Sequence, residues 1–67
     1  MRLVHTTRTF NDQFAKVFYD RDWEEYRVKF FKDGIYVGNA DYHTNDKDDA
    51  LDTADYTVQQ TNLVLPN

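Results

Sequence analysis

Cations alternate with aromatic rings in the first two thirds of this chain. Phe14, Lys16 and Phe18 occupy every second position, and so do Arg27, Lys29 and Phe31, with Tyr36 and Tyr42 following at even spacing. On a strand, side chains two apart share a face. If these segments pair in one sheet, the eight side chains make one aromatic and basic surface. Such a surface has two uses: rings can be buried in a partner protein, or bases can stack on them while the cations hold phosphates. A second set, Asp48, Asp52 and Asp55, recurs at helical spacing. Acids spaced in this way either form a solvated helix face or imitate the phosphates of a nucleic acid.

Other chemistry finds few candidates. The chain has no Ser and no Cys, and its Thr residues have no neighbouring base, so nucleophilic catalysis has no starting point. Glu24 and Glu25 are adjacent on a strand and point to opposite faces, so they cannot act as a carboxylate pair. From Asp41 to Asp52 the acids follow the rhythm of a calcium loop. However, Asp46 stands at the sixth position, which needs Gly, and Asp52 stands where a bidentate Glu belongs. His5 and His43 lack a spaced second ligand; His43 reads as a strand-end residue bonding to a helix cap. Gly34 and Gly38 make no phosphate loop. No enzyme activity, metal or cofactor is expected.

The elements that position the rings follow from turns and periodicity. Asp33-Gly34 is a two-residue hairpin signal, because a type I′ turn needs positive φ at both positions. It pairs Lys32 with Ile35, Phe30 with Val37, Val28 with Asn39 and Tyr26 with Asp41. An earlier turn within Asp20-Arg21-Asp22-Trp23 pairs Tyr19 with Glu24, Val17 with Tyr26 and Ala15 with Val28. One face then holds Ala15, Val17, Tyr19, Tyr26, Val28, Phe30, Ile35 and Val37. The other holds Phe14, Lys16, Phe18, Arg27, Lys29, Phe31, Tyr36, Ala40 and Tyr42. A slip of one residue would exchange the faces, so the apolar pattern selects this parity. Gly38 falls on the aromatic side, where it marks a bulge or the close approach of a backbone or ring.

After Thr44-Asn45-Asp46, which offers an N-cap, the period changes. Ala50, Leu51, Ala54 and Val58 form the stripe of an amphipathic helix ending between Gln60 and Asn62, with Asn62 as a left-handed cap. Leu63, Val64 and Leu65 make an apolar tail closed by Pro66, which either folds back as a lid on the core edge or adds a strand to a partner. The first ten residues read as an edge strand, turned at Asn11-Asp12. Trp23, beside a turn, is expected to cap the core under the helix; the alternative is an exposed anchor for a partner. The expected fold is α+β: a three-stranded antiparallel meander, with the N-terminal segment as an edge strand, packed on one C-terminal helix. Its core is Val17, Tyr26, Val28, Phe30, Ile35, Val37, Leu51, Ala54 and Val58.

At 67 residues the chain is read as a single small domain, residues 1–67, of marginal stability. It has no run long enough to span a bilayer and no signal-peptide core, so no membrane partner is expected. The net charge of −4 disfavours nucleic acid as a partner, since a nucleic-acid binder usually carries a basic excess. Yet the charge is segregated: the segment from Asp41 to Asp55 carries six Asp and one Lys.

The runs WEEYRVKFFKDG (23–34) and DYHTNDKDDALDTA (41–54) resemble small proteins of unknown function encoded by tailed bacteriophages, marine ones in particular. The resemblance covers about half the chain. It implies a short, acidic protein of the host cytoplasm that binds a host or phage machine, and it supplies no catalytic residues. The first expectation is therefore a protein-interaction module on the aromatic face, binding another protein or itself as a homodimer. The alternatives are a single-stranded nucleic-acid binder on the same face, or a mimic whose acidic helix blocks a DNA-binding protein.

Overall fold

The computed structural model describes residues 1–65; Pro66 lies outside them. The fold is α+β. Five strands, β1 (Arg2–Thr6), β2 (Gln13–Asp20), β3 (Glu25–Lys32), β4 (Ile35–Tyr36) and β5 (Tyr42–Thr44), precede one helix, α1 (Lys47–Gln60). The sheet order is β1-β2-β3-β4, and β5 also pairs with β3. Every pairing is antiparallel.

Two turns set this meander. Asp33 and Gly34 have φ of 53° and 78°, and Asn11 and Asp12 have φ of 53° and 59°. Both are two-residue turns in the left-handed region, whose twist matches that of the flanking strands. Phe10 and Gln13 close the Asn11-Asp12 turn with reciprocal backbone bonds of 2.8 and 3.0 Å. The N-terminal segment is thus the edge strand read from the sequence. Its alternation is poor because the register shifts between Leu3 and His5, where Val4 is the extra residue of a bulge.

Between β2 and β3 the expected faces hold, but the register does not. Tyr19 pairs with Tyr26, Val17 with Val28 and Ala15 with Phe30, each partner two residues beyond the one expected. The loop is Arg21 to Glu24. Asp20 Oδ1 accepts the N–H groups of Asp22 (3.0 Å) and Trp23 (3.4 Å), and Glu24 closes the loop at φ 50°. An even displacement leaves every side chain on its own face.

The third strand departs further. After Tyr36 the chain turns through a 3-10 segment, Gly38–Ala40, before β5 resumes. Val28 consequently faces Tyr42 rather than Asn39, and Tyr26 faces Thr44 rather than Asp41. Inserting an odd number of residues exchanges the faces. Tyr42, expected among the exposed rings, sits on the helix side and donates its hydroxyl to Asp49 at 2.7 Å. Ala40 packs against the core. Gly38 marks the close approach of a ring from its own chain: a Cβ there would lie 3.2 Å from the Tyr36 ring.

The helix covers the other face. Asp46 caps it, its carboxylate accepting from the N–H groups of Asp48 (2.9 Å) and Asp49 (3.3 Å). Ala15, Val17, Val28, Phe30, Val37, Ala50, Ala54, Val58 and Leu63 form the buried core, with Val4, Tyr26, Leu51 and Leu65 packed against it. Two expectations fail here. Ile35 is 49% exposed and Trp23 74% exposed, because the hairpin turn and the β2–β3 loop leave each outside the buried cluster.

The helix ends without the expected left-handed Asn62. Thr61 is extended at φ −108°, and a side chain from β2 closes the end instead. Gln13, almost fully buried, donates to the carbonyls of Val58 (3.1 Å) and Thr61 (2.8 Å) and accepts from Leu63 N–H (2.7 Å). Lys32 Nζ adds bonds to Asn62 Oδ1 (2.9 Å) and the Leu63 carbonyl (2.8 Å). The apolar tail is therefore a lid folded back on the core.

Candidate functional site

The sheet face opposite α1 is built of rows that cross the strands. Phe14 pairs with Phe31, and Phe31 with Tyr36. The next row is Thr6, Lys16 and Lys29; then come Leu3, Phe18, Arg27 and His43; last come Asp20 and Glu25. Seven of the eight residues singled out in the sequence are thus brought together, and only Tyr42 leaves. Leu3, His43 and Asp20 were missed, whereas Glu25 follows from the same alternation as Arg27 and Lys29. The bulge at Val4 hides the alternation that would place Leu3. The 3-10 segment hides the parity that brings His43 to this face, away from the helix cap expected for it.

The ring row is tightly coupled. Phe14 and Phe31 are parallel within 9° with centroids 4.9 Å apart, and Tyr36 meets Phe31 at 5.6 Å and 47°. Parallel rings that close cannot lie side by side in one plane. They overlap across the strands and occupy one another's faces, so edges rather than open faces are offered to a ligand. The Tyr36 hydroxyl donates to Asp41. That bond, helped by partial burial, pushes the Tyr36 pKa up to about 12.

The cations divide into two kinds. Arg27 is paired within the chain, with one guanidinium nitrogen 3.1 Å from Asp20 and 3.1 Å from Glu25. His43 Nδ1 lies 3.4 Å from the same Glu25 oxygen. Lys16 and Lys29 face each other directly across β2 and β3. Neither has a carboxylate partner among the described residues. Lys16 sits over the Phe31 ring at 5.7 Å and Lys29 over the Tyr36 ring at 5.0 Å. Lys29 Nζ also donates to the Tyr36 hydroxyl at 3.4 Å. Like charges directly opposed in a sheet are destabilising, so this pair is a local cost.

On the helix, Asp48, Asp52 and Asp55 are exposed. Asp55 lies 3.6 Å from His5 on β1. Asp49 is engaged by the Tyr42, Thr44 and Thr53 hydroxyls, which hold its carboxyl below the usual range, while its bond to Tyr42 raises that phenol. No three His, Asp or Glu side chains among the described residues are grouped to hold a metal ion. No helix among them is long and apolar enough to cross a membrane. Compared with protein-family models, curated proteins and solved structures, the chain matches none.

Proposed function

We propose that this chain is a non-enzymatic protein-interaction module that binds through the sheet face opposite α1. The partner is a host or phage protein, as the resemblance to small phage proteins implies, or a second copy of the chain, and the setting is the host cytoplasm. The observation that supports this is the row Phe14–Phe31–Tyr36 beside the Lys16–Lys29 pair, which has no carboxylate partner among the described residues, on a face over which no other described element packs. Apolar surface rimmed by polar groups marks interfaces, and an opposed lysine pair is relieved when a partner brings carboxylates.

Single-stranded nucleic acid is the weaker reading. The rings stack on one another instead of lying open to bases, Arg27 is already neutralised, and the chain is acidic. Imitation of nucleic acid by the helix rests on Asp48, Asp52 and Asp55 alone, and Asp55 has His5 beside it.

A photo-reactive phenylalanine analogue at position 31, compared with the same group at Tyr56 on the helix, tests the reading. The expected result is protein adducts from position 31 only, with no micromolar binding of single-stranded DNA. Equal adducts from both positions, or DNA binding lost on Phe31→Ser, would refute it.

A further inference from the structure

The face has an order along its strands that the ring row alone does not explain. On β3 and the loop before it, alternate positions read Trp23, Glu25, Arg27, Lys29, Phe31; on β2 they read Lys16, Phe18, Asp20. Phe18 and Arg27 are paired and mark the midpoint. Equal steps away stand an acid on one side and a lysine on the other, on both strands. One step further on β3 stands an aromatic residue at either end.

We propose that a second copy of this chain covers the face, reversed end for end, about a two-fold axis that crosses the strands at the Phe18–Arg27 row. This rests on the reading that the open face is a protein interface, and it names the occupant. The rotation lays β2 on β2 and β3 on β3 with opposite directions. It brings Lys16 to Asp20 of the second copy and Lys29 to its Glu25. Phe31 meets the loop that carries Trp23, the most exposed large apolar side chain of the described residues at 74%. Phe18 and Leu3, the latter 48% exposed, form the apolar part of the central row, where Arg27, its charge held by Asp20 and Glu25, meets its own copy. The other two-fold, parallel to the strands, would put lysine row on lysine row and is disfavoured by repulsion.

Charge balance is consistent with the reversed pairing. Arg27 offsets one of the two carboxylates it touches, and the remaining negative charge lies where the second copy's lysines arrive. The size is also adequate. The molecule spans 31 × 22 × 15 Å, and a standard interface covers roughly 800 Å² per partner. The broad face, 31 × 22 Å, approaches that only when covered from end to end, as an axis through its middle row ensures. The interface is isologous and closes as a dimer.

The test uses two charge reversals, Lys29→Glu and Glu25→Lys, with folding checked by circular dichroism and mass by sedimentation equilibrium. Wild type is expected at twice the 8.0 kDa chain mass. Each variant alone sets like charges together at two symmetric places and should dissociate at least tenfold more readily. An equimolar mixture sets opposite charges together at both places and should regain the dimer, as should the two changes in one chain. A variant that does not fold is replaced by Lys29→Gln or Glu25→Gln, for which the preference for association at low salt over high salt should shrink, the Lys16–Asp20 pairs remaining. A wild type monomeric at millimolar concentration overturns the proposal, as does a dimer indifferent to reversal or a mixture no tighter than its components. A monomer that still gives protein adducts from position 31 would overturn the second copy alone, leaving a different protein as the occupant. A monomer without such adducts would remove both readings.

Discussion

Gln13 shows what one buried amide can do. Its nitrogen serves two carbonyls at the end of α1 and its oxygen takes the Leu63 N–H. Gln13→Leu keeps the size and strands these groups. Each stranded group costs roughly 1–3 kcal/mol, so a marked fall in the urea midpoint is expected. An unchanged midpoint would show that the clamp is not formed. Tyr36 makes a second residue-scale prediction. Its folded pKa, raised to about 12 by the bond to Asp41, exceeds the ordinary value of about 10. The protonated phenol is therefore favoured by folding. The stability it contributes is fully present below pH 10 and is lost as pH rises from 10 towards 12. Ultraviolet titration should show one late-titrating tyrosine that moves earlier in Asp41→Asn; no change in that variant would exclude the bond.

At the scale of elements, Phe30 and Leu51 are not equivalent although the sequence puts both in the core. Phe30 is 1% exposed, whereas Leu51 only packs against the cluster. Phe30→Ala should cost about 3–5 kcal/mol, enough to unfold a domain this small. Leu51→Ala should cost less and leave a cooperative melt at lower temperature. Equal losses would mean the helix sits deeper than described. The elements legible in the sequence were those fixed by local chemistry. Asp33-Gly34 and Asn11-Asp12 turn where their φ preferences say, Asp46 caps, and the stripe of Ala50, Leu51, Ala54 and Val58 docks. What was hidden depends on tertiary context. Gly38 signals an irregularity, but no local signal gives its length, because the break is made by folding Ala40 inward. That one event decides the sides of Tyr42 and His43. Similarly, the hydrophobic pattern fixes the parity of β2 against β3, but it cannot separate registers two residues apart, which bury the same face.

As a whole, the molecule is a two-layer plate whose sheet face has a lysine row towards one end and an acidic row at the other. The helix side carries Asp48, Asp52 and Asp55, and the sheet side carries Lys16 and Lys29. Six of the seven singled-out residues that stay on the open face were legible as a set because β2 and β3 keep strict alternation. The acidic end of that face was not, since Asp20 and Glu25 flank a loop whose length decides whether they meet. Lys16→Thr should stabilise the isolated chain, because relieving a cross-strand repulsion is worth roughly 0.2–1 kcal/mol. The gain should shrink as salt screens the pair. Melting temperatures at a dilution where the chain is monomeric, in low and high salt, check this; a lower melting temperature at low salt would show that the lysines do not repel.

The bond from Gln13 to Leu63 also bears on time. It joins residues fifty positions apart, whereas the hairpins at Asn11-Asp12 and Asp33-Gly34 close within a few residues. Nearby contacts form first because they fix the least chain. The meander should therefore assemble early, with α1 and its tail sealing last. In denaturant-jump experiments Gln13→Leu should speed unfolding while leaving the folding rate nearly unchanged, the pattern of a contact made after the transition state. A variant that folded more slowly instead would place the helix in the nucleus, and the order of assembly would be reversed.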